Sequence, residues 1–374
     1  MKKIIGILYF IFLLLFTFFS YAFVDQNFSY LKNLYTNFYL SNRLMTTIFF
    51  ILSVVVFFIF YSIFIYLAVK KKIDLKETFL LIGVTAVTLL FSYPAMLSYD
   101  IFNYIATGKV LFFYQENPYI VMPIEFVGDP VLAFTHAANK IALYGPTWLA
   151  LTGIPYSISF GHFLVNLFML KSLVIIFYLS SVFLIWKLSR NIVPVVLLAL
   201  NPLVVIESLV SGHNDIAMIF LVLLSFFLLT KKNIFLGVLF FILSIFVKYT
   251  TIVLVPIFLF VIWKIIQKKQ FSLTTIFYYC FLLMLVAFFL SPLREEIYPW
   301  YAIWFLPFSF LVPNKKLLLY ISIAFSFGLM FRYVPFIFSG THAGITPTVK
   351  SIVTFVPSCL ILFYFLIKKK LGKT

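Results

Sequence analysis

Long apolar runs separated by small clusters of lysine and arginine make up most of this 374-residue chain. Nineteen of the 28 basic residues fall in seven such clusters, each at a gap between two runs or at a terminus. The clusters are Lys2 and Lys3, Lys70 to Lys76, Lys187 and Arg190, Lys231 and Lys232, Lys264 to Lys269, Lys315 and Lys316, and Lys368 to Lys373. About 20 apolar residues can cross a bilayer, and basic residues accumulate in cytoplasmic loops. The pattern predicts a multi-pass protein of the plasma membrane with both termini in the cytoplasm.

The acidic residues follow the opposite distribution. Of the 11 Asp and Glu, only Asp74 and Glu77 lie in the gaps that carry the basic clusters. The other nine, with all four His, are predicted on the extracytoplasmic side. Ionisable groups near a membrane are costly and usually functional, so the sequence predicts an active site on that outer face.

Composition excludes several other classes of protein. Only 10% of the residues are charged, against about 25% in a soluble domain, so there is little room for a soluble domain. The net charge of +17 is explained by topology and does not indicate a nucleic-acid partner. Cys280 and Cys359 lie in apolar runs, which favours neither a disulfide framework nor a metal site. We expect no metal and no cofactor.

The predicted fold is an all-α membrane protein with about 12 transmembrane helices, within a range of 10 to 13. It forms one polytopic domain over residues 1–374: residues 1–97 hold the first three helices, 98–163 an outer catalytic loop, and 164–374 the remaining helices. Some crossings, such as Tyr301 to Val312, are so short that they must pack among other helices. The loop is predicted to carry an interfacial helix from Asp129 to about Ile141 and a re-entrant or surface helix from Trp148 to Phe160.

The stretch from Ser98 to Tyr119 begins where an apolar run ends, and it places Asp100 at that boundary. Asn103 and Tyr104 follow at helical spacing and share a face with Asp100, and Lys109 lies further along. A lone carboxylate in a first helical turn is more often a residue that compensates the helix dipole. The alternative is that Asp100 is a catalytic base.

Further polar groups occur at other predicted outer turns, and together they make the functional interpretation stronger than any one of them does. They are His213, Asn214 and Asp215, then Lys248, then Arg294 with Tyr298, Trp300 and Tyr301, and finally Arg332. These groups also have structural interpretations. His-Asn-Asp is a common sequence in turns, and Lys248 can reach the membrane interface from the tip of a hairpin. The aromatic residues match the belt that membrane proteins carry at the interface.

This set fits the transfer of a sugar outside the cell, where no nucleotide-linked donor is available. The donor would be a sugar on a polyprenyl phosphate, and the acceptor a glycan or glycolipid at the bilayer surface. A base must take the acceptor proton, and cations must stabilise the departing phosphate. We assign Asp100 as the base, and Lys248, Arg294 and Arg332 to the donor phosphate. The alternative is a multi-pass transporter or flippase of a glycolipid or polyprenyl-linked sugar.

The chain resembles the GT-C class of membrane glycosyltransferases, and most of all the bacterial polyprenol-phosphate-mannose-dependent mannosyltransferases. The resemblance rests on the ordered elements Ser98-Tyr99-Asp100, Gly108-Lys109, Asn117-Pro118-Tyr119, Tyr144-Gly145-Pro146, Asn201-Pro202, Gly212-His213-Asn214-Asp215, Lys248-Tyr249 and Tyr298-Pro299-Trp300-Tyr301. It implies a GT-C-like fold and a metal-independent, inverting transfer of a hexose, with mannose favoured. The family often has two adjacent carboxylates, whereas Tyr99 and Ile101 flank Asp100 here.

From the residues and the resemblance together, we predict a set of side chains that contact substrate. The set is Asn103, Tyr104, Lys109, Tyr144, His213, Asn214, Asp215, Tyr298, Trp300 and Tyr301.

Overall fold

The computed structural model describes residues 2–25, 27–28, 38–293, 296–312 and 314–371, and all regular structure in these ranges is helical. The α-helices are α1 Lys2–Ser20, α2 Phe38–Ser41, α3 Arg43–Val69, α4 Leu75–Leu90, α5 Asp100–Phe112, α6 Pro146–Ser159, α7 Phe163–Ser189, α8 Ile192–Ala199, α9 Pro202–Val205, α10 Asp215–Thr230, α11 Ile234–Ile245, α12 Val255–Ile266, α13 Leu273–Leu290, α14 Leu306–Phe310, α15 Lys316–Phe331, α16 Val334–Ser339 and α17 Thr346–Lys370. Short 3-10 turns cover Tyr21–Phe23, Pro94–Met96, Pro123–Glu125, Pro130–Phe134, Tyr249–Leu254, Ser291–Leu293 and Pro299–Trp304, and a π-turn covers Ile206–Val210.

Seven of the helical segments in the described ranges are long and apolar enough to cross a membrane. They are Lys2–Phe23, Arg43–Val69, Phe163–Ser189, Tyr249–Ile266, Leu273–Leu293, Lys316–Ser339 and Thr346–Lys370. An eighth span exists if Ile192–Ala199 and Pro202–Val210, bent by 57°, count as one. The all-α membrane fold is confirmed, whereas the number of about 12 crossings stays a prediction.

The bend between α8 and α9 has a clear local cause. Asn201 precedes Pro202, and a residue before proline avoids the helical region. The Asn201 side chain then caps α9, because its Oδ1 accepts hydrogen bonds from the backbone of Leu203 at 3.0 Å and Val204 at 3.4 Å. The turn that follows carries Glu207 and His213 into the interior.

The two acidic residues among the basic clusters have a structural role. Asp74 accepts a hydrogen bond from the backbone of Glu77 at 2.7 Å, and Glu77 accepts one from the backbone of Asp74 at 3.0 Å. This capping box satisfies the free N–H groups at the start of α4. It explains why these carboxylates depart from the charge segregation seen elsewhere.

Lys171 of α7 fixes the segment that leads to Asp100. Its ammonium is buried and donates to the carbonyl of Leu89 at 3.0 Å and to the carbonyl and hydroxyl of Ser92 at 2.6 and 3.1 Å. A cation at a helix C-terminus is favourable, so Lys171 ties the end of α4 to α7. The chain then turns through Pro94–Met96 into α5.

The prediction of an interfacial helix from Asp129 to about Ile141 is wrong. Asp129 does cap a helical turn, since Oδ1 accepts from the backbone of Val131 at 2.9 Å, but the turn is 3-10 and ends at Phe134. The Phe134 ring packs against those of Phe28, Phe102 and Phe163, with centroids 5.0, 5.4 and 5.2 Å away. The loop is therefore anchored to the protein interior at this point by aromatic packing.

Of the other two short predicted segments, one is a single helix in the structure and the other is divided into two pieces. The predicted surface or re-entrant helix is α6, which contains Pro155 and ends at Phe160 in the left-handed region. The predicted crossing from Tyr301 to Val312 is not one helix, because it divides into the Pro299–Trp304 turn and the five-residue α14. Both pieces are largely buried, which an irregular backbone at membrane depth requires.

The motif Tyr144-Gly145-Pro146 docks onto the break between α11 and α12, and the motif Asn117-Pro118-Tyr119 bonds to it in turn. The backbone N–H of Gly145 donates to the carbonyl of Val247 at 3.1 Å, and that of Thr147 donates to Phe246 at 3.0 Å. The Tyr119 hydroxyl donates to the carbonyl of Tyr144 at 2.9 Å. These bonds set the position of Tyr144 relative to Lys248.

We expect Gly145→Ala to lower the thermal stability of the protein. A Cβ at this position would lie 2.1 Å from the carbonyl oxygen of Phe246, which is backbone and cannot rotate away. Overpacking of this kind costs about 1–3 kcal/mol. The measurement is thermal unfolding of the purified protein in detergent. Gly83→Ala is the control, because a Cβ there meets nothing within 4 Å and alanine favours a helix. Equal thermal stability of the two variants would contradict the close contact between Gly145 and Phe246.

Candidate active site

A buried histidine lies between two carboxylates from different parts of the chain. His213 Nδ1 is 3.4 Å from Asp100 Oδ2, and Nε2 is 3.3 Å from Glu207 Oε2. The His213 side chain has no exposed surface, and neither does that of Glu207, whereas the Asp100 side chain is 25% exposed. The contacts are ion pairs, longer than the 2.7–2.9 Å of a strong charge-assisted hydrogen bond. Of the two carboxylates, Asp100 is the one that a substrate can reach.

Local backbone geometry brings these three groups together. Gly212 has φ +72°, a conformation that favours glycine, and its Cα lies against Ile101 of α5, since an added Cβ would be 3.0 Å from Ile101 Cδ1. Glu207 lies in the π-turn, a distortion that occurs often at functional sites. Its Oε1 accepts a hydrogen bond from the Tyr333 hydroxyl at 2.7 Å. The network thus extends from α5 to Tyr333, the residue directly before α16.

The two neighbours of Asp100 keep it ionised. Burial alone would raise the pKa of this carboxyl group, but its contact with His213, the charge of His213 and the charge of Lys248 outweigh that effect and lower it below the ordinary value. A carboxylate that stays ionised near neutral pH can accept a proton. This is the protonation state that a general base needs before the reaction.

The imidazole of His213 carries the compensating positive charge. Burial alone would lower the pKa of His213, but the adjoining Asp100 and Glu207 carboxylates raise it to about 9. His213 is therefore an imidazolium at neutral pH. It neutralises part of the charge of two carboxylates that would otherwise repel each other.

Asp215 forms a second charged contact near the same turn. Its Oδ1 accepts hydrogen bonds from Lys248 Nζ at 2.8 Å and from the indole N–H of Trp304. The Lys248 ammonium also lies 4.5 Å from the centre of the Tyr301 ring. The Lys248 side chain is 17% exposed and forms an ion pair with buried Asp215. Its predicted role in phosphate binding therefore stays a prediction.

Aromatic rings connect His213 to the outer surface of the site. The Trp300 ring stacks on the imidazole at 4.1 Å with a 15° interplanar angle, and Tyr298 stacks on Trp300 at 4.6 Å with 17°. Stacked faces of this kind hold the imidazole in a fixed plane.

Below the histidine turn, the predicted tyrosines pack against one another. The Tyr104 hydroxyl accepts a hydrogen bond from the backbone N–H of Asn214 at 3.3 Å. Its ring lies edge-on to Tyr144 at 4.5 Å and to Trp148 at 5.2 Å. Asn103 Oδ1 accepts a bond from the backbone N–H of Ala137 at 3.2 Å, so this side chain also fixes the outer loop.

A cleft of about 320 Å³ opens beside this network. Among the residues that line it are Ser98, Tyr99, Tyr298, Trp300, Arg332 and Lys350. Asp100 follows directly on Ser98 and Tyr99, and its partner His213 lies against Trp300. The cleft therefore contains two cations, its lining includes the two residues directly before Asp100, and its volume is typical of a small-molecule site.

One predicted residue, Lys109, is not part of this group. Lys109 lies nine residues after Asp100, about 13.5 Å along α5 at 1.5 Å per residue. Its ammonium pairs with Asp129 at 2.7 Å, and Tyr114 donates to the same carboxylate at 2.8 Å. Arg294 lies outside the described residues, so its predicted role remains a prediction.

The sequence placed Glu207, Tyr333, Glu296 and Lys350 among the polar groups of the predicted outer face but gave none of them a role in the site. Glu207 had a detectable signal, because a carboxylate inside an apolar run requires a partner. Glu296 and Lys350 are separated by 54 positions, yet Lys350 Nζ donates to Glu296 Oε1 at 2.8 Å. Spacing in the sequence cannot show such a contact. Within the described ranges, no group of three His, Cys, Asp or Glu side chains is arranged to hold a metal ion.

The helical spans and the polar cleft define a multi-pass membrane enzyme with a carboxylate–imidazole site. Residues 4–267 match the MptA_B family, described as alpha-(1->6)-mannopyranosyltransferase, N-terminal domain, and the chain belongs to this family. It is a glycosyltransferase of the mannosyltransferase type, which confirms the predicted enzyme class. Neither curated proteins nor solved structures gave a match.

The pKa of His213 predicts a pH dependence of stability. Because the folded pKa of about 9 exceeds the ordinary value of 6.5, protonation stabilises the folded state fully below about pH 6.5, and this stabilisation is lost as the pH rises through 9. We expect the thermal unfolding temperature to fall across this window, and to fall less in His213→Gln. His162→Gln, which removes an exposed imidazole, serves as the control. An identical decline in His213→Gln and the unaltered protein would count against a protonated His213.

Proposed function

We propose that this protein transfers a mannosyl group from a polyprenyl-phosphate donor to a hydroxyl of a glycan or glycolipid acceptor at the extracytoplasmic face of the plasma membrane. The observation that carries this proposal is that a cleft containing Arg332 and Lys350 is also lined by Ser98, Tyr99 and Trp300, the residues next to Asp100 and its partner His213. A base and a site for an anion are the two groups that attack at a sugar carbon bonded to phosphate requires.

The reaction is a single displacement. Asp100 takes the proton of the acceptor hydroxyl, and the hydroxyl oxygen forms a bond to the anomeric carbon. The bond from that carbon to the phosphate oxygen breaks, and its electron pair leaves with polyprenyl phosphate. Arg332 and Lys350 stabilise the negative charge that develops on the phosphate. The configuration at the anomeric carbon inverts. The family description favours an α-linked product with a (1→6) linkage, and such a product requires a β-linked donor.

His213 and Glu207 act on Asp100 without contact with substrate. The imidazolium keeps Asp100 ionised before it accepts the proton, and Glu207 with Tyr333 fixes the imidazole from behind. Glu207 is fully buried behind His213 and cannot replace Asp100 as base. One reachable base agrees with an inverting mechanism.

Aromatic side chains give the cleft a lining suited to a sugar ring. Tyr298 and Trp300 both line it and stack on each other. The side-chain amide of Asn214 and the indole N–H of Trp148 have no hydrogen-bond partner among the described residues, but both residues are buried and do not line the cleft. The predicted contact of Asn214 with substrate therefore stays a prediction.

The charge distribution supports the outer location. The residues of the site come from the turns that alternate with the seven basic clusters along the chain. If the clusters are cytoplasmic, then both termini are cytoplasmic and the cleft opens on the opposite side, where lipid-linked sugar donors are used.

Asp100→Asn is expected to reduce transfer by about 10²–10⁴-fold, the usual contribution of a general base. The amide keeps the size of the side chain but cannot accept the proton. The assay follows release of polyprenyl phosphate from labelled polyprenyl-phosphate-mannose when an acceptor is added, with thermal unfolding as the check on folding. Glu116→Gln, an exposed carboxylate of the outer loop, is the control. Full turnover by a folded Asp100→Asn variant would exclude Asp100 as base.

A further inference from the structure

Two buried cations in the cleft share one oxygen atom of a single carboxylate. Arg332 Nη2 lies 2.9 Å and Lys350 Nζ 2.8 Å from Glu296 Oε1. Both cationic side chains are 9% exposed, whereas Glu296 is 37% exposed. The group has a net charge of +1, and its negative member is the one nearest to solvent.

The cations are fixed independently of Glu296. Arg332 Nε donates to the carbonyl of Ile297 at 2.9 Å, and Nη1 is 3.5 Å from the hydroxyl of Thr354. Lys350 Nζ is also 3.1 Å from His342 Nδ1. The remaining N–H groups therefore converge on one point in the cleft, and Glu296 Oε1 occupies that point.

The chemistry of that point is that of a phosphate oxygen. A guanidinium and an ammonium directed at one oxygen match phosphate as well as carboxylate. Burial alone would raise the pKa of Glu296, but the hydrogen bond and charge of Lys350 and the charge of Arg332 lower it. Glu296 is thus a bound anion supplied by the chain itself.

We propose that Glu296 and the donor phosphate compete for the same position between Arg332 and Lys350, and that a lipid-linked phosphate displaces Glu296 from both cations. This inference rests on the proposed function, because it assigns one end of the polyprenyl-phosphate donor to these residues.

The contact of Glu296 with Arg332 and Lys350 also promotes release of the product. The donor is a phosphodiester with one negative charge, and the product polyprenyl phosphate is a monoester that carries up to two. The product therefore binds the cations more strongly than the donor does. Return of Glu296 to Arg332 and Lys350 competes with the product and lets it leave.

The test is the affinity of the full-length protein in detergent for farnesyl phosphate, a short polyprenyl phosphate. Glu296→Gln should bind it about tenfold or more tightly than the unaltered protein, because the charged competitor is removed. Arg332→Gln and Lys350→Gln should each bind it about tenfold or more weakly. Glu116→Gln and Lys140→Gln, which remove exposed outer-loop charges, should leave the affinity unchanged.

The possible results separate this inference from the proposed function. If the unaltered protein does not bind farnesyl phosphate, the polyprenyl-phosphate donor itself is wrong. If it binds and Glu296→Gln binds equally or more weakly, only the displacement is wrong. Inorganic phosphate should bind much more weakly than farnesyl phosphate, and equal affinity for the two would overturn the assignment to a lipid-linked phosphate.

A second measurement needs no altered side chain at Glu296. Hydrogen–deuterium exchange of the peptide that contains residues 296–300 should increase when farnesyl phosphate is added to the unaltered protein, because the Glu296 side chain loses its contacts with both cations and the bond of Arg332 to the Ile297 carbonyl is then the one that remains. Decreased or constant exchange there, under conditions of saturating ligand, would overturn the displacement even if Glu296→Gln fails to fold.

Discussion

The contact of one buried imidazole with two carboxylates is the interaction on which the arrangement of the site depends. Asp100 begins α5, Glu207 lies in the π-turn, and His213 follows in the next loop. A buried carboxylate without a compensating charge is strongly unfavourable. The imidazolium supplies that charge to both carboxylates, and removal of it would leave two negative groups facing each other in an apolar interior.

The demands of the bilayer explain why this site is assembled from breaks in helices. Backbone groups in an apolar interior must be hydrogen-bonded within the protein, so helices end only where a side chain or another loop satisfies their termini. The Asn201 side chain accepts hydrogen bonds from the first backbone N–H groups of α9, and Lys171 donates to the last carbonyl groups of α4. The backbone N–H groups of Gly145 and Thr147 donate to the carbonyl groups at the break after α11. Each of these breaks lies next to a residue of the site or of the segment that leads to it.

The sequence was sufficient to predict the class of fold, the family and part of the site. Asp100 and His213 are in contact, Tyr104 and Asn214 are hydrogen-bonded, and Trp300 stacks on His213. These residues were detectable because polar groups at the ends of apolar runs stand out. The roles that the proposal gives to them are still to be tested.

The remaining features depend on contacts that spacing along the chain cannot show. The Glu296–Lys350 and Glu207–Tyr333 pairs connect distant positions. The apolar residues after Asp129 have a helical spacing, but packing of Phe134 into the interior prevents a surface helix. The segment from Tyr301 to Val312 has the composition of a short span, but it is broken because it lies buried among other helices. In each case tertiary packing overrides the local pattern.

The pH dependence of kcat/KM for sugar transfer, compared between the unaltered protein and His213→Gln, tests the central claim most directly. If the imidazolium holds Asp100 in its ionised form, the acidic limb of the profile moves to higher pH when His213 is replaced, because the pKa of Asp100 then rises with its burial. An acidic limb at the same pH in both proteins, with both folded and active, would contradict this account.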